Sequence, residues 1–147
     1  MHMANLTNQQ QQAVYDNGGK LLVSAAAGSG KTMVLVERLV SYILDPADPA
    51  NIDDFLIITY TKAAAAELRE KIGKRLNQLL ADDGGNRHLQ NQLQRLYLAK
   101  ISTVHGFCSD VLREYAYFSP ELKAILTDVG TEELAHLEMV GAIVHQL

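Results

Sequence analysis

At 147 residues, 48% apolar and 20% charged, the chain can bury the core of one ordinary domain, which excludes a disordered tail. Its net charge is −4, unevenly spread: residues 1–117 balance 12 Lys and Arg against 12 Asp and Glu, whereas residues 118–147 set one Lys against five acids. A single cysteine excludes an internal disulfide and a cysteine-based zinc cluster, short apolar runs exclude a transmembrane helix, and the polar start excludes a signal peptide, so a soluble cytoplasmic protein is expected.

In chain order, Met1-His2-Met3 reads as a cloning remnant and is set aside. Leu21-Leu22-Val23 is a short strand candidate running into the small-residue loop Ser24 to Gly30. Val34, Leu35, Leu39, Val40, Ile43 and Leu44 then recur at helical spacing up to the turn Asp45-Pro46-Ala47-Asp48-Pro49. Phe55 to Ile58 is a second strand candidate, followed by a strong helix over Ala63 to Leu80 and a break at Asp82 to Asn86. Residues 87–98 suit a polar-faced helix, Ile101 to Val104 a third strand, and Phe107 to Tyr115 a helix. Strand, loop and helix recurring three times predict an α/β fold: an incomplete P-loop parallel sheet with flanking helices. From Ser119-Pro120, a good helix start, one long C-terminal helix is expected to run to Leu147.

The loop Ala25-Ala26-Ala27-Gly28-Ser29-Gly30-Lys31-Thr32 carries the clearest chemistry. Glycines let backbone N–H groups turn toward a phosphate, a helix N-terminus adds positive dipole, and a lysine reaches the β and γ oxygens. A hydroxyl after the lysine is the usual Mg²⁺ ligand, here Thr32. Ala27, Gly28, Ser29, Gly30, Lys31 and Thr32 are therefore the candidate ATP and Mg²⁺ set, although Ala25 replaces the first glycine of the strict pattern. The plain alternative is an Ala/Gly-rich turn with a solvated lysine.

Around that loop the sequence resembles the superfamily 1 (UvrD/Rep-like) helicases, nearest to the helicase–nuclease subunits of AddAB-type bacterial recombination complexes. Leu6 to Val14 resembles their Q motif, Ala25 to Thr32 their motif I, Ile57 to Leu68 motif Ia, and Ile101 to Cys108 motif Ib. The likeness covers residues 4–117. It implies that Gln10 recognises adenine and that motifs Ia and Ib touch single-stranded DNA, with Tyr60 stacking on a base and Thr61, Lys62, Thr103 and His105 binding phosphates. Such roles are physically sensible. By themselves the residues favour structural duties: Tyr60 as a strand-end core residue, His105 as a helix-capping group, and Cys108 as a packed small hydrophobe. Lys62 stands where many relatives have Asn. No stretch after residue 32 offers four apolar residues followed by Asp-Glu, so a Walker B motif is missing from these residues, as are a second motor domain with its arginine fingers and a nuclease domain.

In the tail, Leu122, Leu126, Val129, Glu133, His136, Val140, Ile143 and Leu147 form an unbroken helical seam with two polar members. Glu-x-x-His on a bundle helix is a known metal arrangement, and the plain alternative is a solvent-facing Glu beside a satisfied His. Residues 119–147 resemble one helix of the dimanganese catalase family, in its spore-coat branch, which implies Glu133 and His136 as manganese ligands. One helix supplies two ligands, so no catalase site forms within one chain.

Two regions are thus expected: a partial P-loop helicase domain at 4–117 and an acidic catalase-like helix at 118–147, joined as in a chimera. The first functional reading is the ATP-binding front of a DNA helicase and exonuclease of the double-strand-break repair type. Its partners would be single-stranded DNA and a partner nuclease subunit, with no membrane. The alternative is a manganese-binding helix module acting through homo-oligomerisation, and a truncated, inactive chain is a third possibility. No catalytic residue is assigned, and independent ATPase or catalase activity is not expected.

Overall fold

The computed structural model describes residues 6–16, 18–26, 28–115, 120–121, 124–125, 127–129 and 131–132. The chain divides into two compact units, the first from residues 1–56 and 66–99, the second from 57–65 and 100–147.

The first unit is helical. Its leading helix, α1 (Asn8–Tyr15), starts at a capping box: Thr7 Oγ1 accepts from Gln10 N, and Gln10 Oε1 accepts from Thr7 N. Helix α2 (Lys31–Ile43) turns Val34, Val36, Leu39, Val40 and Ile43 inward. It ends where Asp45 accepts from the N–H groups of Ala47 and Asp48, a turn that Pro46 favours. Helix α3 (Lys62–Asp82) begins in the second unit and continues in the first, burying Leu68, Ile72, Leu76 and Leu79 at three- and four-residue spacing. Glu37 of α2 and Arg75 of α3 form a two-pronged ion pair, Nε to Oε1 at 2.7 Å and Nη2 to Oε2 at 3.1 Å, with both side chains only 12% exposed.

A 3-10 turn (Ile52–Asp54) meets α4 (Arg87–Arg95) through one buried side chain. Gln92, 1% exposed, accepts from Ile52 N at 2.8 Å and donates to Asn51 Oδ1 at 2.9 Å. Arg95 forks onto Asp53, at 2.7 and 2.8 Å. The chain leaving α4 is held by Arg69, whose guanidinium donates to the carbonyls of Leu96 and Ala99.

In the second unit, which takes up β1 (Leu56–Thr59) from Ile57 onward, β1 and β2 (Lys100–Thr103) pair as a small parallel two-stranded sheet. Helix α5 (Val104–Tyr115) follows β2 directly. Ile57, Ala65, Ile101 and Cys108 are buried there, so Cys108 is the packed small residue expected of it. The predicted α/β class holds.

Three expectations need correction. Leu21-Leu22-Val23 is not a strand. Among the described residues the ladder joins only β1 and β2, and without ladder partners residues 21–23 stay unpaired, with Leu22 93% exposed. Helix α5 begins three residues earlier than expected, because Thr103 Oγ1 accepts from Gly106 N and starts the helix at Val104. Helix α4 stops at Arg95 rather than 98. In the tail, residues 120–121, 124–125, 127–129 and 131–132 are helical, and the rest of the expected long helix lies outside the described residues. Among the described residues, no helix is long and apolar enough to cross a membrane.

Candidate functional site

The phosphate loop lies in the first unit. Gly28 and Gly30 have φ of +78° and +84°, the left-handed region that a side chain disfavours, and they are the positive-φ positions of the described backbone. Ser29 closes the loop on itself, its N–H and hydroxyl both donating to Ala26 O, at 3.3 and 2.7 Å. Gly30 is the N-cap of α2 and has no side chain to cap with, so the first N–H groups of α2 remain open to an anion. Lys31 Nζ folds back and donates to the carbonyls of Ala25 and Ala26, at 2.6 and 2.8 Å. Both acceptors are neutral, so they leave its charge uncancelled. Thr32 is exposed in the first turn of α2, where its hydroxyl faces no packing constraint. Ala27 lies outside the described residues.

Gln10 sits beside this loop. Its Nε2 donates to Ser29 O at 3.1 Å, while its Oε1 serves the capping box of α1. A Cβ added at Gly30 would stand a tight 3.2 Å from that Nε2, in addition to the strain of a side chain at its positive φ. The structure thus brings Gln10, Gly28, Ser29, Gly30, Lys31 and Thr32 into one neighbourhood, exposed except for the half-buried Gln10 and Gly30.

Arg38, which the sequence reading passed over, tightens the same neighbourhood. From α2 it donates to the carbonyls of Ala13 and Asp16, both at 2.6 Å. A clue was present: Arg38 is an isolated cation between the apolar positions Val36 and Leu39, two turns beyond Lys31.

A second cluster lies in the second unit, at the C-terminal ends of β1 and β2. Parallel strands end on the same edge of their sheet, and here β2 runs straight into α5 while two residues, Tyr60 and Thr61, link β1 to α3. Thr61 Oγ1 accepts from Ala64 N at 3.0 Å, and Thr103 Oγ1 accepts from Gly106 N at 3.1 Å. The two threonines are therefore N-caps of α3 and α5. Each hydroxyl keeps its own proton to donate outward. Thr59 Oγ1 donates to Thr61 O and reaches Ser102 O at 3.4 Å, tying the two strand ends together. Tyr60 is 90% exposed, which overturns the reading of it as a core residue. The capping role considered for His105 falls to Thr103, and His105 lies exposed in the first turn of α5. Lys62 is exposed as well.

Glu133 and His136, the tail's candidate manganese ligands, lie outside the described residues. Among the described residues, no group of three or more His, Cys, Asp or Glu side chains is placed to hold a metal ion.

Comparison with known proteins places both clusters in context. Residues 6–139 match the family model of the UvrD/REP helicase N-terminal domain. The match runs past residue 118, taking in much of the segment likened above to a catalase helix, and it supports neither the catalase likeness nor a chimera. The chain is 48% identical over 115 residues to the AddA-type ATP-dependent helicase/nuclease protein of Oceanobacillus iheyensis, covering 78% of this chain and 9% of that protein. Proteins of the same description from Anoxybacillus flavithermus and Bacillus cereus are 50% and 47% identical over 111 residues, 76% of this chain. This chain spans about 9% of the length of these relatives. It belongs to the UvrD/REP helicase N-terminal domain family.

Proposed function

We propose that the chain is the nucleotide-binding front of an ATP-dependent DNA helicase–nuclease subunit of the double-strand-break repair type. The observation that carries this reading is the state of the phosphate loop. Two left-handed glycines, an uncapped helix N-terminus and a lysine held only by neutral carbonyls make an exposed anion cradle. The loop N–H groups and Lys31 would take the β- and γ-phosphates, and Gln10 would read adenine. The Thr32 hydroxyl would hold Mg²⁺, which supplies positive charge to the phosphate oxygens. At the strand ends, Tyr60 would stack on a base of single-stranded DNA. Thr61, Lys62, Thr103 and His105 would hold its phosphates beside two helix N-termini. A partner nuclease subunit completes the assembly in this reading.

The test is a calorimetric titration of Mg-ATP into the wild type and Lys31→Ala. The wild type should bind, and the variant should lose at least tenfold in affinity, roughly what one charge-assisted contact contributes. Equal affinity, or no binding by either, removes the reading.

A further inference from the structure

Helix α1 carries the candidate base reader, yet little in its own sequence holds it in place. It has eight residues, two turns, well short of the length at which a helix is stable alone. Four of the eight are glutamine, and Val14 is its one buried side chain. Its first turn is fastened by the capping box and by the bond from Gln10 to Ser29 O. Its last turn is fastened from outside. The carbonyls at a helix C-terminus have no partner within the helix, and a cation there complements the dipole. Arg38 meets both needs. Its Nη1 donates to Ala13 O at 2.6 Å and reaches Val14 O at 3.5 Å, while Nη2 donates to Asp16 O at 2.6 Å. The guanidinium is itself held by Tyr42, whose hydroxyl accepts from Nη2 at 2.7 Å and whose ring centroid lies 5.2 Å from Cζ. Arg38 stands on the same helix that Lys31 opens, so α1 is pinned to α2 at one end and to the phosphate loop at the other.

We propose that Arg38 is a positioning residue for base recognition: by clamping the last turn of α1 it fixes the amide of Gln10 against the phosphate loop, without touching the nucleotide. The proposal rests on the reading of Gln10 as the adenine contact. A planar fork spanning two carbonyls is something lysine cannot reproduce, although lysine keeps the charge beside the helix end.

The experiment measures Mg²⁺-dependent binding of ATP, GTP and inorganic tripolyphosphate to the 147-residue chain and to Arg38→Lys and Gln10→Ala. Arg38→Lys should lower the preference for ATP over GTP roughly five- to tenfold, as expected for one lost hydrogen-bonding interaction. Its affinity for tripolyphosphate should stay within twofold of the wild type. An unchanged preference, or an equal fall for all three ligands, overturns the proposal, the second because it marks a merely structural role. Gln10→Ala separates the two claims. If it keeps the preference, the adenine reading fails. If it loses the preference while Arg38→Lys keeps it, only the role of Arg38 fails. Should Arg38→Lys not fold, judged by circular dichroism, Tyr42→Phe removes one acceptor of the guanidinium and is expected to give the same selective loss at a few-fold level. Its absence overturns the proposal equally.

Discussion

Tyr60 shows how much one side chain's surroundings decide its reading. A tyrosine after an apolar strand is ordinarily a core residue, because its ring buries a large apolar area. Here the strand ends at Thr59, the chain bends, and the ring is left 90% exposed beside two capped helix starts. In the proposed DNA-binding role the exposed ring would serve as a stacking platform, where each stacked base contributes about 1–3 kcal/mol. Tyr60→Ala should therefore weaken binding of a fluorescent oligothymidine about tenfold or more, read by anisotropy, while Tyr60→Phe stays near the wild type. An alanine variant that binds as tightly as the wild type would return Tyr60 to a purely incidental surface residue.

At the scale of elements, joints made by single polar side chains recur. Arg38 grips the end of α1, Arg69 grips the chain after α4, and Gln92 ties α4 to the 3-10 turn. The Gln92 joint is the most deeply buried. Gln92→Leu would keep the volume but strand the Ile52 N–H away from water, which costs on the order of 2 kcal/mol. Urea unfolding should show that loss as a lower midpoint with an unchanged slope. An unaltered midpoint would mean that water replaces the amide. Beside it, the hydrogen bond from Arg95 holds the Asp53 carboxyl below its ordinary value, outweighing the opposing effect of desolvation. A carboxyl with a depressed folded value contributes stability above its unfolded value, about 3.9, and loses it as pH falls through the folded one. The stability gap between wild type and Asp53→Asn should thus be full near neutral pH and close below about pH 4. A gap independent of pH would show that the pair contributes through shape rather than charge.

Over the whole molecule, local rules read well and long-range ones did not. Helix α3 was legible because Ala, Glu, Leu, Lys and Arg favour helix and its apolar positions recur at helical spacing. The phosphate loop was legible because glycine spacing reports backbone conformation, and both glycines adopt it. Residues 21–23 misled because apolar composition announces a strand only where a neighbour completes the ladder. Thr61 and Thr103 were singled out as phosphate contacts, while their capping of α3 and α5 depended on where each helix began. Arg38 was missed because its partners lie 22 to 25 positions away in sequence. The same scale governs turnover. Phosphoryl transfer needs several charges gathered on one phosphate, and removing one costs on the order of 10³-fold or more. The 147 residues contain no apolar run ending in Asp-Glu after Thr32. The chain on its own should therefore show negligible ATP hydrolysis even with single-stranded DNA. Turnover of about 1 s⁻¹ or more, abolished by Lys31→Ala, would reveal a catalytic carboxylate elsewhere in these residues.

The fold-back of Lys31 onto Ala25 and Ala26 has a thermodynamic meaning. Under the proposed function the loop would compete with its own ligand. In the proposed role an arriving phosphate would not enter a vacant socket; it would displace two carbonyls from the ammonium and trade neutral acceptors for charged ones, which bind more strongly. Observed affinity is therefore an exchange quantity, the difference between two sets of bonds to the same lysine. A weak neutral ligand would gain little from that exchange, whereas a polyanion would gain at every contact, so under the proposed function the resting loop would act as a threshold that discriminates by charge before any base is read.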